Sequence, residues 1–359
     1  MHEFAEVDRA ATPLDWWRTM DGGNWERWLE PDWRDRVFAW WEGYDIQRLT
    51  RDARRRRSAA RARPITSDVA EPLGIARSAG ASLSGMNDPL AHLRALETAQ
   101  LDRCGEPVWS VDRMRGAQAL WGEDLTGPQG GPWMVDAVRP FGLTPARSVL
   151  DLSAGLGGPA RAIATAFDTW VTGLEPSPVL ARMAMDRSRS LGLSKRVPVA
   201  HYDPEHLNQA GSFDLVLGDR ILHRVRDKAW FLDQIQACTK PQGGILFYDY
   251  VVEGTPRSWE QWNGWRLEEP QEVYPWSARR VGDELVQRNL DLRIAEDVTA
   301  MHRAQIMDGM RRLAESIETA RPDGGVLSGL ARELAVWWAR LKVLGAGLGF
   351  YRFVAYRAA

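Results

Sequence analysis

Short apolar runs recur between residues 148 and 250, and helix-like segments separate them. The run 148–152 alternates apolar residues with small or acidic ones, as a buried β-strand does, and the run 170–174 follows a helix-like segment. Two further runs cover 212–219 and 245–250, with a helix predicted over 228–238 between them and a glycine turn over 240–244. Segments that alternate in this way predict a doubly wound α/β sheet, which a terminal strand in 345–359 would complete.

An acidic side chain closes each predicted strand of the parallel part of the sheet. These acids are Asp151, Glu175, Asp203, Asp219 and Asp249. Ligands of open α/β sheets bind outside the carboxyl ends of the strands, so we expect the five carboxylates to border a binding site.

Glycines follow the first strand directly and lead into a helix that begins near Pro159. Residues without bulky side chains allow backbone N–H groups to approach a ligand closely. Asp151 lies before these glycines, unlike in a dinucleotide site of the G-x-G-x-x-G kind, and no G-x-x-x-x-G-K-[ST] motif is present. Glu175, at the end of the second strand, is placed to accept hydrogen bonds from a ribose diol.

The acids at the ends of strands one, two and three, together with the glycines, resemble the class I S-adenosylmethionine (SAM) methyltransferases. This resemblance implies a Rossmann-like methyltransferase sheet and SAM as the cofactor, with no metal. Ser153 stands where that family usually has its first glycine. The cofactor-binding residues that the resemblance implies are Trp121, Gln129, Asp151, Ser153, Gly155, Gly157, Gly158, Glu175, Pro176, Asp203, Pro204 and Asp219.

A closer resemblance, to phosphoethanolamine N-methyltransferases and their small-molecule relatives, runs from about Val108 to the C-terminus. Residues 120–131, which include the sequences LWGEDL and PQGG, look like the segment that precedes the SAM motif in that group. The sequence GDRILH at 218–223 is similar to the group's RDAILH. The group's tyrosine pair is not matched, because Trp109 and Ala117 occupy the corresponding stretch.

His223, the last residue of GDRILH, is therefore the candidate catalytic residue. An ammonium nucleophile must lose a proton before it attacks, and a neutral imidazole near the methyl group can accept that proton. The alternative is that His223 caps the helix that follows it. Methyl transfer is otherwise an in-line displacement, to which an enzyme mainly contributes proximity and orientation.

Five aromatic residues lie between predicted strands five and six, where small-molecule methyltransferases commonly build a substrate lid. An aromatic cage there would suit an amine that becomes a methylammonium, through cation–π contact, and would equally suit an apolar ring. The alternative is that the lid packs on itself. The five residues are Trp259, Trp262, Trp265, Tyr274 and Trp276.

The sequence thus predicts SAM-dependent methyl transfer to a small-molecule acceptor, with an amine preferred. Methylation of an oxygen or carbon atom on an apolar metabolite is the alternative within enzymes. A methyltransferase-like binding or regulatory protein without turnover is the alternative outside them.

The first hundred residues differ from the rest in composition. Seven of the chain's 18 tryptophans lie before residue 42, and residues 51–63 hold seven arginines and one aspartate. Ser, Ala, Gly and Pro then dominate 64–87. We predict a Trp-rich helical module over 1–50, a basic stretch and linker over 51–87, and the methyltransferase domain over 88–359. The module is either a helical lid or dimer element with buried tryptophans, a membrane-surface helix, or a contact for a protein or nucleic-acid partner.

Composition bears on the partners of the chain, its redox compartment and its location. The 359 residues carry a net charge of −2, which does not imply a nucleic-acid partner for the chain as a whole. Cys104 and Cys238 lack metal-site spacing and fit a reduced compartment, and we expect a cytoplasmic protein because neither a signal-peptide-like run nor a long apolar stretch is present. The sequence leaves the oligomeric state open.

Overall fold

Seven strands form one mixed sheet in the computed structural model. Their bounds are β1 Ser148–Asp151, β2 Trp170–Glu175, β3 Val199–His201, β4 Phe213–Asp219, β5 Thr239–Val252, β6 Leu290–Asp297 and β7 Leu348–Arg357. The strands lie in the order β3-β2-β1-β4-β5-β7-β6. The first five are parallel, and β7 runs antiparallel to both β5 and β6. The predicted doubly wound sheet is confirmed, and β7 is the expected terminal strand.

The structure describes residues 91–209, 211–319 and 322–359, together with Leu29, Thr50 and Ala53. The residues from 91 onwards belong to one compact unit, Ser84–Ala359. Apart from the three single residues, the predicted Trp-rich module over 1–50 and the basic stretch and linker over 51–87 lie outside the described residues. The boundaries at 50 and 87 therefore stay predictions.

Helices connect the strands and cover both faces of the sheet. Their bounds are α1 Ala91–Glu97, α2 Val111–Trp121, α3 Gly131–Val138, α4 Gly158–Phe167, α5 Pro178–Ser190, α6 Lys228–Cys238, α7 Trp259–Glu268, α8 Ala278–Gln287, α9 Thr299–Thr319 and α10 Gly324–Val343. Several begin at a residue whose side chain accepts a hydrogen bond from the first turn, such as Ser177 for α5 and Asp227 for α6. The predicted helix over 228–238 coincides with α6.

One predicted turn is wrong. Residues 240–244 belong to β5, which begins at Thr239 because Thr239 pairs with Phe213 of β4. The pairing register shifts between Phe213 and Leu215, and Gln242 has a φ of 61°, so the strand carries an irregularity where the glycines predicted a turn.

The sheet buries apolar side chains on both faces, as a doubly wound sheet must. Along β1, Val149 belongs to one apolar cluster and Leu150 to the other, and both are fully buried. Helices α2 and α10 pack so closely that a Cβ on Gly329 would lie 1.9 Å from the Asp112 carbonyl oxygen. Helix α2, in the segment before β1, therefore lies directly against α10.

Candidate functional site

The loop after β1 is held by the two acidic side chains that the sequence singled out. The Asp151 carboxylate accepts a hydrogen bond from the Ser153 N–H at 3.0 Å. The Glu175 carboxylate accepts from the Gly155 N–H at 2.8 Å and from the Ser177 N–H at 2.9 Å. Glu175 thereby ties the glycine loop of β1 to the end of β2, and its oxygens keep lone pairs for a ligand hydroxyl.

The glycines of this loop are required by conformation and by close packing. Gly155 and Gly157 have φ values of 55° and 80°, in the left-handed region that favours glycine. A Cβ on Gly158 would lie 2.6 Å from the Asp124 carbonyl oxygen. Gly158 thus lets the segment before α3 lie directly on the start of α4.

Ser153 fits the loop although the family usually has glycine there. Its φ is not positive, so no side-chain strain arises at this position. Its hydroxyl oxygen accepts a hydrogen bond from the Asp219 N–H at 2.7 Å. Ser153 therefore joins the end of β1 to the end of β4.

A pocket opens at these strand ends, between the glycine loop and the segment before α3. Five of the predicted cofactor residues line it: Gln129, Asp151, Ser153, Gly155 and Asp219. The other lining residues are Asp124, Leu125, Thr126, Gly127, Met134, Ala154, Leu156, Pro159, Leu217, Gly218, Arg220, Leu246 and Tyr248.

The pocket is rich in hydrogen-bond acceptors and negative charge. Burial, together with the nearby carboxylates of Asp219 and Glu175, raises the pKa of Asp151 to about 7, although the Ser153 N–H opposes that shift. Burial likewise raises the pKa of Glu175. Asp219 Oδ1 and Gln129 Oε1 are buried without a hydrogen-bond partner among the described residues. Unpaired buried acceptors are costly, so this lining fits a ligand that carries positive charge and N–H or O–H donors.

The remaining predicted cofactor residues lie outside this lining. Gly157, Gly158 and Glu175 shape the loop, and Pro176 follows Glu175 directly. Asp203 lies after β3 beside Pro204, exposed, with its carboxylate 2.7 Å from His206 Nδ1, which holds the pKa of Asp203 below its usual range. Trp121 is buried against Trp337 with ring centroids 4.8 Å apart, and its Nε1 lacks a partner in the described part of the chain.

His223 is fully buried in the turn Leu222–Arg224, directly after β4. Its Nδ1 lies 2.8 Å from Asp249 Oδ1 on β5, and the Asp249 carboxylate also accepts the N–H groups of Leu222 and His223. Asp249 is thus the orienting partner that the sequence did not identify. It holds the proton on Nδ1 and leaves Nε2 as a buried acceptor with no partner among the residues described.

The protonation state of His223 suits a base. Burial lowers the pKa of the imidazole below its usual value, and Asp249 opposes that shift only in part. The alternative that His223 caps the next helix is wrong, because Asp227 is the N-cap of α6 and accepts the Trp230 N–H.

Three further residues of the site were not singled out from the sequence, although Arg220 lies within GDRILH. Arg220 has a φ of 57°, lines the pocket and pairs with Asp219 at 2.7 Å. Tyr250 packs edge-on against His223, with ring centroids 5.0 Å apart. His302, in the first turns of α9, lies 3.0 Å from the Tyr250 hydroxyl. Only the position of Tyr250, next to Asp249 near the end of a strand, could have pointed to this group.

A buried ion pair borders the same region. Arg340 of α10 donates to both carboxylate oxygens of Glu269, at 2.7 and 2.8 Å, and Trp265 Nε1 donates to the same carboxylate at 2.8 Å. The Arg340 guanidinium holds the pKa of Glu269 well below its usual range despite full burial. The guanidinium also lies over the rings of Trp337 and Tyr250.

The predicted lid aromatics do not form a single cage. Trp262 and Trp265 are buried and pack edge-on against each other, with ring centroids 5.0 Å apart. Trp276 packs under Arg280, Tyr274 lies near Arg226, and Trp259 is 61% exposed. The aromatic side chains of this segment therefore mostly pack against the segment itself and its neighbouring cations.

The described residues contain neither a candidate membrane span nor a candidate metal site. Every helix there is too short or too polar to span a bilayer. No cluster of three or more His, Cys, Asp or Glu side chains there is arranged to hold a metal ion.

Comparisons with known proteins agree with this geometry. Residues 129–293 match a protein family described as a methyltransferase domain. The chain is 29% identical over 134 residues to phosphoethanolamine N-methyltransferase 1 of Arabidopsis thaliana, covering 37% of this chain and 27% of that protein. It is also 29% identical over 156 residues to 27-O-demethylrifamycin SV methyltransferase of Amycolatopsis mediterranei, covering 39% of this chain and 56% of that protein. The chain thus spans about a quarter to somewhat over half of these relatives.

The fold has a close counterpart among solved structures. Phosphoethanolamine N-methyltransferase 2 of Haemonchus contortus, in complex with phosphomonomethylethanolamine and S-adenosylhomocysteine, superposes with a TM-score of 0.61 at 21% identity, over 69% of this chain and 58% of that one. Residues 129–293 thus resemble a methyltransferase domain, and the chain shares the Rossmann-like fold of the methyltransferase structure.

Proposed function

We propose that this protein transfers a methyl group from SAM to a small-molecule amine. The observation that carries the proposal is the buried His223–Asp249 pair, whose Nε2 is an acceptor without a partner in the described part of the chain. Contacts connect this pair to the cofactor pocket: His223 packs on Tyr250, Tyr250 on His302, and His302 lies 2.9 Å from Gln129 of the pocket lining.

The residues present fit the cofactor. Glu175 and the glycine loop would hold the ribose, and Gln129, Asp151 and Asp219 would hold the positively charged methionine end. The unpaired acceptor atoms of Gln129 and Asp219 support this assignment, because an ammonium group would satisfy both. When bound, the cofactor supplies a methyl group on a sulfonium, which a nucleophile displaces in line.

The chain itself contributes orientation and one proton acceptor. Asp249 fixes the imidazole ring of His223, so that Nε2 can accept the proton of an incoming ammonium. The charges around the imidazole act in opposite directions: the Asp249 and Glu269 carboxylates favour its protonated form, and the Arg224 guanidinium disfavours it. An amine needs this step, whereas a carbon or an already ionised oxygen nucleophile does not.

The test is a binding and turnover experiment on the full chain. Calorimetry should show S-adenosylhomocysteine binding in the micromolar range, about −8 kcal/mol. Transfer from methyl-labelled SAM should then be measured on matched acceptors that differ only in an amine, a phenol or an apolar ring. Turnover of amines supports the proposal, and turnover of only phenols or apolar rings assigns the domain to O- or C-methylation instead. Binding without turnover of any acceptor, or no binding, would contradict the proposed activity and favour the binding or regulatory alternative.

A further inference from the structure

A chain of three buried polar side chains links the cofactor pocket to the acceptor side, by which we mean His223, Asp249 and Tyr250 with the bordering Glu269–Arg340 ion pair. Gln129 Nε2 lies 2.9 Å from His302 Nδ1, and His302 Nε2 lies 3.0 Å from the Tyr250 hydroxyl. His302 and Tyr250 are almost fully buried, and Gln129 nearly so. His302 also stacks on Phe350, with ring centroids 3.8 Å apart, so the imidazole is fixed in place.

His302 carries one ring proton. Burial lowers the pKa of its imidazole well below the usual value, and the positive charges of Arg220 and Arg340 lower it further. A neutral imidazole donates from one nitrogen and accepts at the other. The hydrogen bond at Nδ1 therefore determines whether Nε2 donates to the Tyr250 hydroxyl or accepts from it.

Two arrangements of protons satisfy these positions. With the Gln129 amide nitrogen towards His302, Nδ1 accepts, Nε2–H donates to the Tyr250 oxygen, and the Tyr250 proton is free for another acceptor. With the amide reversed, the Gln129 oxygen accepts a hydrogen bond from Nδ1–H, and the Tyr250 hydroxyl donates its hydrogen bond to Nε2. Both arrangements hold the same number of protons: the change removes the Nδ1 proton to water and adds a proton from water at Nε2.

The orientation of the Gln129 amide couples the proton arrangement at His302 to ligand binding. In the first arrangement its Nε2 also lies 3.4 Å from Gln305 Oε1, while its own Oε1 is buried with no partner among the described residues. A ligand amino group would satisfy that oxygen. In the second arrangement the amide N–H groups would face the ligand's amino group, and two donors repel.

The geometry points to a relay in which the amino group of the bound cofactor, held by Gln129 Oε1, fixes His302 as its Nε2–H tautomer and frees the Tyr250 hydroxyl proton for the methyl acceptor. The relay rests on the proposed function, because it requires SAM in this pocket. His302 is a positioning residue here, since it touches neither ligand and acts through Tyr250. The Tyr250 ring packs edge-on against His223, so the side chain that carries the freed proton is a neighbour of the proposed base. The acceptor site is thus completed only after the cofactor binds.

Nitrogen-15 NMR of histidine reports the tautomer directly. Six histidines are present, so histidine-selective labelling of the full chain gives a tractable spectrum, in which contacts to Phe350 identify His302. Without ligand each arrangement leaves one polar atom of Gln129 unpaired, so we expect intermediate shifts for the two ring nitrogens. S-adenosylhomocysteine should move them to the limiting values of the Nε2–H tautomer. 5′-Methylthioadenosine, which lacks the amino acid end, should leave them unchanged.

A variant locks the relay in its other state. The carboxylate of Gln129→Glu has no N–H to donate, so His302 should stay as the Nδ1–H tautomer whether or not the ligand is present. Gln261→Glu on α7 adds the same charge at an exposed position and should respond as the natural chain does. Calorimetry on the same samples confirms occupancy.

The outcomes separate the relay from the cofactor assignment. If S-adenosylhomocysteine binds while the His302 shifts stay constant, or if 5′-methylthioadenosine moves them equally, the relay is wrong and the proposed function stands. If S-adenosylhomocysteine gives no heat and no shift, the proposed function fails first and the relay fails with it.

Discussion

The cofactor side and the acceptor side of the sheet are built from different kinds of contact. On the cofactor side, Asp151 and Glu175 hold backbone N–H groups of residues two positions away, and Glu175 reaches only 20 residues back to Gly155. On the acceptor side, partners are far apart in the chain: Glu269 and Arg340 are separated by 71 residues. The glycine loop of the first site is local and follows from the strand–turn–helix connection, while the second site exists only once the C-terminal helices have packed.

The two sides also satisfy charge differently. The buried carboxylates of the cofactor side accept hydrogen bonds from uncharged backbone groups and keep room for a cation. On the acceptor side the Glu269–Arg340 ion pair is buried, and the free energy needed to remove both charges from water offsets much of their attraction. Loss of one partner should therefore be far more damaging on the acceptor side than on the cofactor side.

The largest effect should come from His223. It follows β4, whose last residue lines the cofactor pocket, and it packs on Tyr250 of the acceptor side. His223→Ala should lower turnover by about 10²- to 10⁴-fold, because the general base is lost. The affinity for S-adenosylhomocysteine should stay within about twofold, since the pocket residues are unchanged. Steady-state kinetics with the best acceptor and calorimetry measure the two quantities. Gln261→Ala, at an exposed position on α7, is the control.

Full activity of His223→Ala would reduce the imidazole to a structural role, with methyl transfer driven by proximity alone. Equal loss of turnover and of cofactor affinity would also contradict the division into two sides.

The next largest effect should be on stability, from Arg340. Arg340→Met leaves the Glu269 carboxylate buried without its cation and should lower the free energy of unfolding by about 3–5 kcal/mol. The double variant Arg340→Met/Glu269→Gln should recover most of that loss, because the amide still accepts the Trp265 N–H. Denaturant unfolding measures both. Arg182→Met removes an exposed pair with Asp186 and should change stability by less than about 0.5 kcal/mol. No recovery in the double variant would mean that the packing of Arg340, not its charge, matters.

A smaller effect on the cofactor side should follow Glu175→Ala. The ligand loses its ribose contact, so the affinity for S-adenosylhomocysteine should fall by about 1–3 kcal/mol, measured by calorimetry. The loop should also loosen, since two N–H groups lose their acceptor. Asp186→Ala, at a surface carboxylate on α5, is the control. An unchanged affinity would show that Glu175 serves only to hold the loop.

More of the cofactor side than of the acceptor side could be predicted from the sequence. The glycine loop depends on local contacts, whereas the acceptor side depends on contacts between residues far apart in the chain. Asp151, Gly155 and Glu175 lie at strand ends, and the alternation of apolar runs predicts where strands end. The partner of His223 could not be chosen, because five acids end strands and only the sheet order places Asp249 beside His223. Gln129 and His302 are 173 residues apart, and no local pattern connects them. The glycines at 243–244 predicted a turn, and the local preference persists as an irregularity within β5, where the register with β4 passes from Thr239 directly to Gly244.

The two sides should also respond differently to pH. Burial raises the pKa of Asp151 to about 7, so below that pH the empty pocket is protonated and the affinity for a cationic ligand should weaken. Burial lowers the pKa of His223, so at saturating cofactor the neutral base should persist below pH 6.5, with turnover falling about tenfold per pH unit only below its own pKa. Calorimetry and kinetics across pH 5–8 would show the two windows. Asp151→Asn should abolish only the loss of ligand affinity at low pH. If affinity and turnover fell over the same pH range, the assignment of the two effects to Asp151 and His223 would be contradicted.

The smallest effect, at Ser153, tests whether the residue that departs from the family's glycine is a handicap. Its φ is not positive, so replacement by glycine relieves no strain. Its hydroxyl accepts the Asp219 N–H and lies 3.4 Å from Asp151 Oδ1, so Ser153→Ala should cost about 1 kcal/mol of stability. Ser153→Gly loses the same hydrogen bond and adds backbone freedom to the unfolded chain, so it should cost about 0.5–1 kcal/mol more. Thermal unfolding should therefore rank serine above alanine and alanine above glycine, while the affinity for S-adenosylhomocysteine changes by less than about threefold. A glycine variant more stable than the natural chain would mean that the loop is strained at Ser153 and that the link between β1 and β4 contributes little.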